Sequence, residues 1–152
     1  MFTENLLFYK EESLIMAFID TIKERAKADK KTIVLPESMD KRTYEAAEKI
    51  LKEGIANLVI IGTPEEIEKY GKGYDISGAT IVDPFNDPNK QKYIDKFVEL
   101  RSKKGVTPEM AKEQMEKDYM YYACLMCKCG DAEQYLVHAT QQVTQSVQLF
   151  SY

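Results

Sequence analysis

Apolar residues fall along this chain in two rhythms: short unbroken runs, and stripes that return every three or four positions. The runs are Ile33-Val34-Leu35, Leu58-Val59-Ile60-Ile61 and Ile81-Val82. They are rich in β-branched residues, and Pro36, Gly62 and Asp83-Pro84 close them. They predict buried strands over Thr32–Leu35, Asn57–Ile61 and Thr80–Val82. The stripes predict helices between and after them. Phe18, Ile19, Ile22 and Ala26 share a face in a helix that starts at Ala17 and ends in the Lys/Asp-rich stretch Lys27–Lys31. Tyr44, Ala47, Ile50 and Leu51 mark a helix over Lys41–Lys52, with Ser38 or Asp40 as its cap and Gly54 as its stop. Thr63, Pro64 and the acids Glu65 and Glu66 start a short helix that reaches about Tyr70. Gly71, Gly73 and Gly78 then punctuate a loop.

Asp87-Pro88 opens another helix, with Tyr93, Phe97 and Leu100 facing inward and Gly105 beyond its end near Lys104. Thr107-Pro108-Glu109 is a further cap. After it Met115, Tyr119, Tyr122 and Met126 repeat at intervals of four, three and four, a long helical stripe that reads as core packing. Strands alternating with helices imply parallel pairing through right-handed crossovers. The expected fold is therefore α/β, with a mainly parallel sheet.

At 152 residues the chain is long enough for one domain with a real core. A net charge of −4 leaves no basic field, which argues against nucleic acid as a partner. No apolar run approaches the roughly 20 residues of a membrane span. The cysteines, Cys124, Cys127 and Cys129, are three in number and crowded together, so they make no disulfide framework, and a reducing cytoplasm is the expected compartment.

Residues 1–15 fit poorly with the rest of the chain. They have neither the basic start nor the cleavage site of a signal peptide. Lys10-Glu11-Glu12 can be encoded AAG GAG GAA, which contains a bacterial ribosome-binding sequence, and Met16 comes three codons later. Met16 is the expected natural start, with residues 1–15 as translated leader; the alternative is an ordinary helical extension.

Candidate chemistry is sparse. Arg42 lies in the first turn of a helix that follows a strand, where its charge opposes the helix dipole, so an anion nearby is expected. An arginine solvated on an exposed face is the plainer reading. Arg101 stands in Glu99-Leu100-Arg101-Ser102-Lys103-Lys104-Gly105, a cationic helix end that electrostatics alone explains. Cys124-x-x-Cys127-x-Cys129 tempts a metal or redox reading. Zinc needs four ligands, there is no second CxxC, and His138 is an unsupported fourth. Small apolar residues at a helix end are the better reading, with no metal. Gly71-x-Gly73 lacks the third glycine and the preceding strand of a dinucleotide fingerprint. The residues thus yield an α/β domain with two candidate anion-binding arginines and no reaction.

A resemblance supplies one. Thr32-Ile-Val-Leu-Pro-Glu…Asp40-Lys-Arg42-Thr43, Ala46-Ala47…Ile50-Leu51…Gly54-Ile55-Ala56, Ile81-Val82-Asp83-Pro84, Glu99 through Thr107, and Gly130-Asp131-Ala132 resemble the start of phosphate acetyltransferases. The phosphate butyryltransferases are similar, but less so. The resemblance implies transfer of acetyl between coenzyme A and orthophosphate, giving acetyl phosphate. It implies no metal and no resident cofactor: acetyl-CoA, or coenzyme A, and phosphate are substrates. It also implies a three-layer α/β/α fold, in subunits of two such domains with the site in the cleft between them, commonly as homodimers. By position, Arg101 matches a family active-site arginine and Arg42 an arginine at the mouth of the same cleft. Both are expected to bind substrate, and neither is expected to be a catalytic base.

After Ala132 the pattern departs. The family continues Asp-Gly-x-Val-Ser-Gly-Ala-x-His-Ser-Thr, whereas here the residues are Glu133-Gln-Tyr-Leu-Val-His-Ala-Thr. Read out of frame, codons for this tail can give Ala-Val-Ser-Gly-Ala-Cys-His-Ser-Thr. The expectation is a frameshift near Ala132–Glu133. It divides the chain into residues 1–15, a family-like domain over 16–132, and an out-of-frame tail over 133–152 in which His138 is accidental. Such a chain is expected to be inactive alone. A non-catalytic anion- or coenzyme A-binding module, or a fragment that pairs with intact subunits, are the rival expectations.

Overall fold

The computed structural model describes the backbone of residues 2–136 and the side chains of residues 14–136. Four parallel strands form one sheet in the order β3-β2-β1-β4. They are β1 (Thr32–Leu35), β2 (Asn57–Ile61), β3 (Thr80–Val82) and β4 (Gln134–Tyr135). The first three have the bounds that the apolar runs predict. The helices are α1 (Phe2–Ala28), α2 (Lys41–Glu53), α3 (Pro64–Gly71), α4 (Lys90–Arg101), α5 (Pro108–Lys117) and α6 (Tyr119–Lys128).

The three layers follow from the two-residue period of the strands. Along β2, Leu58 and Ile60 join one core with Tyr44 and Ala47 of α2, while Val59 and Ile61 join the opposite core with Tyr93, Phe97, Met115 and Tyr122. Leu35 and Val34 of β1 divide in the same way. A strand apolar at every position is what a sheet covered on both faces requires. Helices α2 and α3 lie on one face and α4–α6 on the other. The α/β/α expectation is met.

Local signals placed the caps. Asp40, rather than Ser38, accepts from the Arg42 amide at the start of α2, and Gly54 ends that helix with φ 67°. Thr63 and Glu66 form a reciprocal capping box on α3. Gly105, at φ 69°, closes a 3₁₀ turn, Ser102–Lys104, at the end of α4.

Three expectations are corrected. Helix α1 begins at Phe2, not Ala17, and the face that Phe18, Ile19 and Ile22 share is not buried: Phe18 is 66%, Ile22 49% and Ile19 38% exposed. The Lys23–Glu53 ion pair, at 2.7 Å, ties α1 to α2, but among the described residues no helix or strand packs closely over the stripe. On α4, Leu100 is 42% exposed and Ile94 is buried instead. At about 100° per residue, Tyr93, Ile94 and Phe97 cluster on one face and Leu100 falls about 70° from its centre. The long stripe from Met115 to Met126 spans two helices. Extended backbone at Asp118 (φ −141°, ψ 103°) breaks it, and the Asp118 side chain caps α6 by accepting from the Met120 amide. Met115, Tyr122 and Met126 are core, and Tyr119 is half-buried.

The expected out-of-frame tail starts at Glu133. The Glu133 amide donates to the Thr32 carbonyl and the Leu136 amide to the Val34 carbonyl, which sets β4 beside β1. Val137–Tyr152, with His138, lie outside the described residues.

Candidate functional site

From β1 the chain steps outward to β2 and β3, then returns to place β4 on the other side of β1. The carboxyl ends of the strands at such a reversal are where open α/β sheets hold ligands. A cleft of about 780 Å³ lies there, lined by Pro36–Asp40, Glu66 and residues 114 and 116–119 of α5 and α6.

Its floor is a polar network built on Glu66. Glu66 Oε2 accepts from the Ser38 hydroxyl at 2.8 Å and from the Thr63 amide at 3.0 Å. Glu66 Oε1 accepts from the Tyr119 hydroxyl at 3.2 Å. The Tyr44 hydroxyl donates to the Ser38 carbonyl at 2.6 Å. Burial, reinforced by Glu66, pushes the Tyr44 and Tyr119 hydroxyls up to about 12. Gly62 passes so close that a Cβ there would lie 2.5 Å from Ser38 Cβ. A residue with no side chain at the end of β2 therefore lets the Pro36–Asp40 loop fold over the strand ends.

Arg42 is tied to Asp40, a lining residue of this cleft. Its Nε donates to Asp40 Oδ1 and Oδ2 at 3.1 and 3.0 Å, and a terminal nitrogen completes a two-pronged ion pair. The anion that a cation in this first turn implies is thus Asp40, the capping residue itself. The Arg42 side chain remains 62% exposed. The cleft carries Glu37, Asp40, Glu66, Glu116 and Asp118 against Lys117, a strongly acidic wall.

Arg101 is elsewhere. It lines a neighbouring cleft of about 210 Å³ with Phe97, Val106, Met110, Gln114 and Tyr121. Its Nε is buried and has no hydrogen-bond partner among the described residues. Gln114 lines both clefts, so the arginines stand on two adjoining surfaces, not in one cluster. The sequence offered no signal for Gln114 or Tyr121, which carry no motif, and it marked Glu66 only as a first-turn acid.

The cysteines occupy the end of α6 and the turn after it. All are free; Cys124 is buried and burial pushes each thiol up, Cys127 to about 11. A thiol held protonated is a poor nucleophile and a poor metal ligand. Among the described residues no helix is long and apolar enough to cross a membrane.

Comparison with known proteins joins these features to a family. Residues 17–149 match the family model described as Phosphate acetyl/butaryl transferase. The chain belongs to this family. A phosphate acetyltransferase from Thermoanaerobacterium thermosaccharolyticum is 47% identical over 128 residues, covering 82% of this chain and 39% of that protein. One from Acetivibrio thermocellus is 45% identical over 118 residues, covering 78% of this chain and 35% of that protein. The chain spans less than two fifths of these curated relatives. Among solved structures, a phosphotransacetylase from Streptococcus pyogenes superposes with a TM-score of 0.74 at 26% identity, over 87% of this chain and 41% of that one. A phosphotransacetylase from Staphylococcus aureus, with a TM-score of 0.77 at 22% identity, shares the fold over 88% of this chain and 41% of its own.

Proposed function

We propose that this chain builds one wall of a phosphate acetyltransferase site, in which acetyl passes between coenzyme A and orthophosphate. The observation that carries this reading is Arg101, which lines a small cleft and whose buried Nε has no hydrogen-bond partner among the described residues. A guanidinium presents a planar fork of donors that suits phosphate oxygens. The family membership and the acetyltransferase relatives supply the substrate class.

In this reading the coenzyme A thiol attacks the carbonyl carbon of acetyl phosphate. A C–S bond forms, the C–O bond to phosphate breaks, and the thiol proton passes to a base. Arg101 neutralises phosphate charge, with Arg42 at the cleft mouth in a lesser part. Neither arginine is that base, because a guanidinium does not give up its proton near neutral pH. No metal or cofactor takes part. Positioning of this kind needs both walls of a cleft. These 152 residues, as one wall, are therefore expected to show no turnover by themselves, and the full site belongs to a cytoplasmic, homodimeric enzyme.

The division at Ala132–Glu133 belongs to the same proposal: a frameshift there separates the family domain over 16–132 from the tail. The nucleotide sequence tests it, and a parent gene without the shifted reading refutes it. The functional test is acetyl phosphate formation from acetyl-CoA and phosphate by the purified 152-residue chain. No turnover is expected, together with coenzyme A binding that Arg101→Ala abolishes. Turnover by the chain alone overturns the one-wall reading, and binding indifferent to Arg101→Ala overturns the role of Arg101.

A further inference from the structure

The cleft beside Arg101 holds two further polar side chains with unused hydrogen-bonding capacity. Gln114 of α5 and Tyr121 of α6 line it with Arg101, over an apolar floor of Phe97, Val106 and Met110. Among the described residues neither the Gln114 amide nor the Tyr121 hydroxyl takes a hydrogen-bond partner, and the Arg101 Nε also lacks one. Other tyrosines of this face are satisfied: Tyr119 by Glu66, Tyr122 by Asp87 and Tyr93 by Asp131. One buried donor without a partner, flanked by two half-exposed donors on the same small cleft in a domain whose nearby hydroxyls are paired, points to an acceptor that comes from outside the domain.

We propose that Gln114 and Tyr121 are substrate-binding residues, whose amide and hydroxyl donate to the phosphate oxygens that Arg101 neutralises. The proposal rests on the reading of Arg101 as a phosphate ligand and extends it to two residues that carry no motif. Packing and charge support it. Phe97 and Tyr121 pack ring to ring, centroids 5.7 Å apart, which fixes the tyrosine against α4, the helix that ends in Arg101. Arg101 and Tyr121 line the same cleft, and the Arg101 charge is felt at the Tyr121 hydroxyl. Burial and Asp118 outweigh that cation and keep the hydroxyl protonated, as a donor.

Gln114 also explains how an anion is kept to one side. It stands where the Arg101 cleft meets the acidic cleft of Glu37, Asp40, Glu66, Glu116 and Asp118. A neutral donor at that border ends the acidic wall without adding a charge. A phosphate group is drawn toward Arg101.

The test is titration of the isotopically labelled full chain with coenzyme A and, separately, with inorganic phosphate, followed by nuclear magnetic resonance. The Gln114 side-chain amide and the Arg101 Nε–H should shift together and saturate with one dissociation constant. Gln114→Leu and Tyr121→Phe should each weaken binding about fivefold, the effect of one lost hydrogen bond, with an unchanged melting temperature. Gln114→Glu, which extends the acidic wall, should weaken it more than about tenfold. Weakening seen with coenzyme A alone assigns the cleft to a coenzyme A phosphate; weakening with both anions assigns it to any phosphate group. Binding that Arg101→Ala abolishes, but that neither Gln114→Leu nor Tyr121→Phe alters, overturns this inference and leaves the role of Arg101 standing. Binding of neither anion by the unmodified chain overturns both.

Discussion

Substituting Gly62 by alanine tests whether the strand-end loop is held as tightly as the geometry indicates. The added Cβ would lie 2.5 Å from Ser38 Cβ, 2.7 Å from Ser38 Oγ and 3.2 Å from Glu66 Oε2. A Cβ is fixed to the backbone and cannot rotate away. Either the Pro36–Asp40 loop lifts off β2, or the hydrogen bond between Ser38 and Glu66 breaks. Overpacking costs about 1–3 kcal/mol. Loss of a buried hydroxyl–carboxylate bond costs about 1.5–3 kcal/mol, and relaxation along one route spares part of the other. A net loss of about 2–4 kcal/mol is expected, or roughly 8–16 °C in melting temperature at about 4 °C per kcal/mol. Urea denaturation followed by circular dichroism measures it. A Ser38→Gly background removes the two nearest of the three atoms that the new methyl meets. The pair should therefore cost at least about 1 kcal/mol less than the sum of the single changes. A Gly62→Ala protein within about 0.5 kcal/mol of its parent, or strict additivity with Ser38→Gly, refutes the reasoning.

The exposed stripe, the buried stripe and the tyrosine hydroxyls each answer to a separate perturbation. Phe18→Lys should change stability by less than about 0.5 kcal/mol, because Phe18 is 66% exposed. Phe97→Ala, at 5% exposure, should cost about 3–5 kcal/mol by the same denaturation assay. The folded Tyr44 and Tyr119 hydroxyls are raised from 10 to about 12. A group raised on folding contributes stability that is complete below its unfolded value and is lost as pH rises through the folded one. The urea midpoint should therefore fall as pH climbs from about 10 toward 12, and Tyr44→Phe should flatten part of that slope; a level midpoint across this window contradicts it.

The strands were legible in the chain because each carries its boundaries within it: a β-branched run and a residue that stops a ladder. The caps were legible for the same local reason, in Asp40, Gly54, Thr63 with Glu66, and Gly105. Family membership was legible through spaced segments that run from Thr32 to Ala132. Long-range contacts decided the rest. Apolar spacing announced a face on α1, but burial needs a second surface, and the described fold presses none against Phe18 or Ile22. The stripe from Met115 to Met126 kept helical spacing across a break, because Asp118 could cap a new helix without disturbing which residues face the core. Arg42 looked like a cation awaiting an anion, and the anion proved to be two residues away. Gln114 and Tyr121 stand beside Arg101 only because α4, α5 and α6 pack on one face of the sheet. Local propensity acts over a few residues and is written in the sequence. A site is a meeting of side chains far apart in the chain, and only the packing of the layers brings them together.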